Sequence, residues 1–207
     1  MRKIALCLGV YASVLAALGV GAFALDFSPA PLKEGNSTYG SVSLVGYYQR
    51  EVGQRGGGSL ATSDGSRYEN ERGAVGFGLK RGVMLGEEKA WLLGAWLDGY
   101  AGSENKNGLY GASVGLDGGY RILGGRLIAL GGVGFMMSNL ALSHGPKEQA
   151  NIYGGVARAE LFIDIAQGFG LSVGYMRGFS HKSKKLIGER FDTDSLFVAI
   201  RFYDFGI

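Results

Sequence analysis

The sequence predicts an all-β fold, an eight-stranded antiparallel up-and-down transmembrane β-barrel. Three observations carry that expectation. The chain divides into eight strand-length runs in which an apolar face alternates with a small or charged face. The connections between the runs alternate in length, odd ones longer than even ones. The charges opposite the apolar faces are of both signs, as a narrow closed lumen requires if they are to be paired.

Composition agrees. A chain of 207 residues suits one domain. It carries 38 Gly, 11 Tyr and 11 Phe, but only 3 Pro. Pro29, Pro31 and Pro146 all lie outside the strand-length runs. Many glycines and aromatics with little proline fit crowded, curved strands. They do not fit collagen, a coiled coil or a disordered tail.

The N-terminus reads as a targeting segment. Met1-Arg2-Lys3 is a basic start, Ile4 to Val20 is almost wholly apolar, and Ala22-Phe23-Ala24 is a small-x-small cleavage site. Residues 1–24 are therefore expected to be a signal peptide cleaved after Ala24, the alternative being an uncleaved anchor. Cys7 is the single cysteine, so a chain starting at Leu25 has neither thiol nor disulfide. Removing Arg2 and Lys3 lowers the formal charge from +3 to +1, which gives no reason to expect nucleic-acid binding. Beyond residue 24 no apolar run approaches the ~18 residues of a membrane helix, a test to which β-barrels are invisible.

Residues 25–36 read as an extended periplasmic lead-in, and 37–207 as the barrel. The expected strands are 37–50, 73–85, 90–102, 108–123, 126–142, 150–166, 170–180 and 194–205. The odd connections are 51–72, 103–107, 143–149 and 181–193, and the even ones 86–89, 124–125 and 167–169. Short turns at one end and longer loops at the other are the habit of outer-membrane barrels.

The faces follow from a period of two. In 108–123, Tyr110, Ala112, Val114, Leu116, Tyr120 and Ile122 share one side, with Ser113, Asp117 and Arg121 on the other. In 90–102, Trp91, Leu93, Ala95 and Leu97 oppose Trp96, Asp98 and Tyr100. In 150–166, Ala157, Ala159, Leu161, Ile163 and Ile165 oppose Arg158, Glu160, Phe162 and Asp164. In the last run, Leu196, Val198, Ile200 and Phe202 oppose Ala199, Arg201 and Tyr203. A lipid-embedded barrel turns the apolar faces outward, and a soluble lipocalin-like barrel turns them inward. Trp91, Tyr110, Tyr120, Tyr153 and Phe202 lie near strand ends on the apolar side, as interfacial girdles do, which favours the membrane reading. The expected lumen network is Asp98, Asp117, Arg121, Arg158, Glu160, Asp164 and Arg201, with Lys80 balancing it, so the lumen is filled rather than open. Inward glycines make room for Trp96, Tyr100 and the arginine chains. One run resists assignment: in 73–85 adjacent Lys80 and Arg81 fall on opposite faces, which asks for a bulge or for an exit from the membrane near Lys80.

Little else points to chemistry. His144 and His181 sit in different connections, so neither metal nor cofactor is expected. "GGVG" and "GLDGG" lack the Lys-Ser/Thr of a phosphate loop and read as strand glycines. Lys182, Lys184 and Lys185 form a basic cluster that reads either as a solvated loop or as a contact for lipopolysaccharide phosphates.

The terminal "SLFVAIRFYDFGI" resembles the β-signal of bacterial outer-membrane proteins, although Gly206 and Ile207 follow the terminal aromatic Phe205. Residues 37–205 are similar in pattern to the small OmpA/OmpX-type and opacity-type barrels. That resemblance implies the outer membrane of a Gram-negative bacterium, contact with its lipid and lipopolysaccharide, and roles in envelope integrity or surface interaction through the loops. It also implies periplasmic chaperones and the barrel-assembly machinery as transient partners of a monomer. A second resemblance rests on His181, Ser183 and Asp192, which are similar to the end of outer-membrane lipid A deacylases. It implies Ser183 as nucleophile, His181 as base and Asp192 as its orienter, with Lys184 standing where that family carries Asn.

Overall fold

Runs that alternate at a period of two can bury one face only, and a sheet made of them escapes unpaired edges by closing on itself. The chain does this in a computed structural model that describes residues 26–52, 61–62, 71–104, 107–141, 149–183, 186–187 and 191–205. The strands are β1 (Thr38–Val52), β2 (Ala61–Thr62), β3 (Glu71–Leu85), β4 (Trp91–Glu104), β5 (Asn107–Ile122), β6 (Leu127–Ala141), β7 (Gln149–Ala166), β8 (Phe169–Ser183), β9 (Leu186–Ile187) and β10 (Phe191–Asp204). Eight of them form a closed barrel in the order β1-β10-β8-β7-β6-β5-β4-β3, and β2 pairs with β9 in a separate ribbon. Every pairing in the barrel is antiparallel, with β1 closing against both β3 and β10.

The connections β3–β4, β5–β6 and β7–β8 fall at one end of the barrel, called here the turn end. Each uses a glycine at positive φ: Gly86, Gly124 with Gly125, and Gly168. The other end is the loop end. The asymmetry of connection length is less uniform there than the sequence suggests. Glu104 pairs with Asn107, so the third connection shrinks from 103–107 to residues 105–106. The seventh also shortens, because β8 runs on to Ser183 and β10 begins at Phe191.

The 73–85 run needs neither a bulge nor an exit from the membrane. β3 pairs without interruption with β1 from Thr38↔Val83 to Arg50↔Glu71, and with β4 from Gly73↔Ser103 to Leu85↔Trp91. Lys80 simply points into the lumen and Arg81 out of the wall. Register does shift at three other places: Tyr153/Gly155, Asp164/Ala166 and Phe191/Thr193.

The lead-in is more than a tether. Residues 26–36 run across the turn end and close it. Ala30 is buried in the barrel mouth, and its N–H donates to Asp164 Oδ2 at 2.8 Å. Gln167 N–H donates to the Ser28 carbonyl at 2.9 Å, Arg126 Nη2 to the Phe27 carbonyl at 2.5 Å, and Lys89 Nζ to the Asn36 carbonyl at 2.5 Å. The Ser28 side chain and backbone, and then Gln167, donate to the exposed Asp26 carboxylate and hold its pKa below the ordinary value of 3.8.

Candidate functional site: the charged layer of the lumen

Inside the wall, the side chains stack in three layers. At the turn end Tyr39, Met84, Leu92, Ile128, Phe162, Tyr203 and Phe205 pack around Ala30. Toward the loop end Val45, Tyr47, Trp96, Tyr100, Met136, Met176 and Phe197 form a second apolar plug. Between them lies an ionic layer of Lys80, Asp98, Asp117, Arg158, Glu160 and Arg201, all buried. The layer exists because inward positions on β3, β4, β5, β7 and β10 come to a common level once the barrel closes.

Glu160 is the hub. Its carboxylate lies 3.0 Å from Lys80 Nζ, 3.0 Å from Arg158 Nη2 and 2.9 Å from Arg201 Nε. Lys80 also reaches Asp117 at 2.5 Å, and Arg158 reaches Asp98 at 2.5 Å. The Tyr47 hydroxyl donates to Asp98 at 3.0 Å. Arg201 donates to the Ser172 and Ser41 hydroxyls, each at 3.2 Å, and Glu160 is the carboxylate it meets. Three cations thus face three anions, which is how buried charge becomes tolerable. The Arg158 guanidinium also lies 4.4 Å from the centre of the Phe197 ring and 5.7 Å from that of Trp96.

Glycines provide the room. A Cβ at Gly115 would overlap the Trp96 ring, and one at Gly132 would come within 2.7 Å of that ring from β6. A Cβ at Gly174 would overlap Phe197, and one at Gly111 would lie 2.6 Å from the Tyr100 hydroxyl.

Two members of the expected network do something different. The Asp164 carboxylate forms no ion pair among the described residues. Its oxygens accept the Ala30 N–H and, at 2.9 and 3.0 Å, the Gly168 N–H, so it ties the lead-in to the β7–β8 turn. Arg121 makes no ion pair among the described residues and lies over the Phe205 ring at 4.5 Å. Its sequence neighbours could not reveal this, because both partners come from the chain termini.

The proposed hydrolase residues are placed as follows. His181, Lys182 and Ser183 belong to the backbone of β8 rather than to a loop, in register with Phe191, Tyr153 and Ile152 respectively. Their side chains, and Lys184 and Lys185 altogether, lie outside the described residues, as does His144. Asp192 is held by Arg177 Nη2 at 3.2 Å. Among the described residues, no three His, Cys, Asp or Glu are grouped to hold a metal ion.

The outer surface of the barrel is the opposite of the lumen. Phe77 is 73%, Val133 67% and Leu116 66% exposed, on a largely apolar wall. Trp91 and Tyr120 face each other across β4 and β5 with ring centres 4.8 Å apart, and Phe169 is in register with Phe202. On the same strand pair Tyr110 is in register with Ala101, ten residues up β4 from Trp91. At ~3.3 Å per residue and a tilt of ~40°, those two aromatic levels are about 25 Å apart, the height of a hydrocarbon band. The soluble lipocalin-like alternative needs the reverse placement of faces.

No family model matches the sequence, and no curated protein is similar to it in sequence. Solved structures are similar in fold. Neisserial surface protein A matches with a TM-score of 0.50 at 11% identity, over 82% of this chain and 99% of that one. The attachment invasion locus protein Ail of Yersinia pestis matches at 0.46 and 19%, over 80% and 99%. The N-terminal β-barrel domain of Pseudomonas aeruginosa OprF matches at 0.44 and 12%, over 78% and 97%. The fold is the small eight-stranded β-barrel. The likeness to lipid A deacylases finds no support among these structures.

Proposed function

We propose that this chain is an integral outer-membrane β-barrel of a Gram-negative bacterium. In this reading it serves envelope integrity or surface interaction through its loop end and conducts no ions. One observation carries the reading: a ~25 Å apolar belt between aromatic levels surrounds a lumen occupied by side chains from end to end. The crevice beside Tyr47, Gln49, Arg72 and Tyr100 measures only about 10 Å³, too little for a hydrated ion. The signal-peptide reading of residues 1–24, transient handling by periplasmic chaperones and the barrel-assembly machinery, and a monomeric end state complete the proposal. The loop end would meet lipopolysaccharide, with Lys182, Lys184 and Lys185 opposite its phosphates.

Measurements of location, conductance and binding test this. The protein should fractionate with outer membranes and migrate faster unheated than boiled in detergent gels. In planar bilayers it should show no discrete conductance steps, and regular steps would refute the filled lumen. Neutralising all three lysines together should weaken binding to lipopolysaccharide, and unchanged binding would remove that contact from the reading.

A further inference from the structure

Arg81 is the anomaly of the outer wall. It is exposed on β3, flanked on the same face by Leu79 and Val83. Its register partners are Gly40 on β1 and Ala95 on β4, so nothing larger than a methyl group stands beside it. Four residues further along, Leu85 pairs with the girdle residue Trp91. Four residues at ~3.3 Å and a ~40° tilt place the Arg81 Cα roughly 10 Å inside the belt.

A guanidinium is always charged, and hydrocarbon at that depth is hostile to it. The side chain is long enough to lie down the wall toward the turn end, along the path that Gly40 and Ala95 leave clear. Across Gly40 from Arg81 the next residue in register is Asp204 on β10. Among the described residues, Arg81 has no ion-pair partner. Asp192 and Asp194 are engaged by Arg177 at the loop end, and Asp204 by Lys33 at the turn end. Asp98, Asp117, Glu160 and Asp164 face the lumen. Glu34, Glu87 and Glu88 are exposed at the turn end, where water screens them, and Asp26 accepts from Ser28 and Gln167. The outward Asp194 of a second copy lies toward the opposite rim and is already engaged by Tyr175 and Arg177.

We infer that Arg81 is a binding site for the phosphate group of a glycerophospholipid in the turn-side leaflet. A guanidinium presents paired N–H donors to a phosphate, and the low dielectric around them strengthens the contact. The small, exposed Ala95 beside Arg81 lets the lipid's glycerol region lie close against the wall. This inference rests on the membrane reading.

The test uses the full-length barrel purified in a maltoside detergent, which carries no phosphate. Phosphatidylethanolamine is titrated in and bound lipid counted by native mass spectrometry. A diacylglycerol with the same chains is the comparator. Arg81→Leu should retain at least about fivefold less phosphatidylethanolamine than wild type, Arg81→Lys should fall between them, and diacylglycerol should bind all three weakly and equally. Heat-modifiable migration checks that each variant is folded; if Arg81→Leu is not, Arg81→Lys and the diacylglycerol arm still decide. Equal phosphatidylethanolamine retention in wild type and folded Arg81→Leu would overturn the site, as would equal uptake of both lipids by wild type. A wild-type dimer that Arg81→Leu splits to monomers would assign Arg81 to a protein contact and overturn it too. A wild-type barrel that fails to insert into phospholipid vesicles would instead refute the membrane reading itself.

Discussion

Replacing Glu160 with Gln removes one charge and no volume from the centre of the lumen. The consequence is unequal among its three cations. Lys80 keeps Asp117 at 2.5 Å and Arg158 keeps Asp98 at 2.5 Å. Arg201 keeps only the hydroxyls of Ser172 and Ser41 at 3.2 Å. The dominant cost is therefore one buried guanidinium without a carboxylate, about 3–5 kcal/mol. Arg201→Met should cost less, because Glu160 retains Lys80 and Arg158 at 3.0 Å each. The double variant restores charge balance and should be more stable than the sum of the singles predicts, by about 1–3 kcal/mol. Reversible urea unfolding in phospholipid vesicles, followed by tryptophan fluorescence, measures all three. The losses should persist at high salt, since buried pairs are little screened. A Glu160→Gln loss below about 1 kcal/mol would refute the reasoning, because surface pairs are worth about that or less. Strict additivity of the double variant would refute it as well.

Arg158→Leu leaves Asp98 with the Tyr47 hydroxyl at 3.0 Å, and should lower stability by about 3–5 kcal/mol in the same assay. Gly115→Ala forces a methyl group against the Trp96 ring and the Val133 carbonyl, and should cost about 1–3 kcal/mol with a shifted tryptophan emission. Trp96→Phe should relieve only part of that loss, because the Val133 carbonyl stays. Asp164→Ala orphans the N–H groups of Ala30 and Gly168, at about 1–3 kcal/mol, and should make residues 26–36 cleavable by added protease while β1 stays protected. Asp26 is held below 3.8, so its contribution is complete above that pH and is lost as pH falls through the lowered value. Protease sensitivity of the lead-in should therefore rise in acid below about pH 4, and Asp26→Asn should remove the pH dependence.

Neighbouring residues of one strand already determine much of this protein. A period of two assigns Ala157, Ala159 and Leu161 to one side and Arg158, Glu160 and Asp164 to the other before any partner strand is known. Aromatic residues near the run ends, and glycines on the inward faces, are equally local signals. Which charge meets which is not local. Lys80 could be placed only when β3 proved continuous in register with both neighbours, since adjacent charges at 80 and 81 look the same whether a strand bulges or passes straight through. Asp164 was legible as an inward acid, but its partner is the amide of Ala30, 134 residues away, supplied by a lead-in with no pattern of its own. Arg121 likewise finds Phe205 from the far end of the chain. Strand periodicity decides the face of a side chain, because it depends on covalent geometry. Its depth and its partner depend on closure of the barrel and on the tilt of its strands, which only the tertiary structure decides.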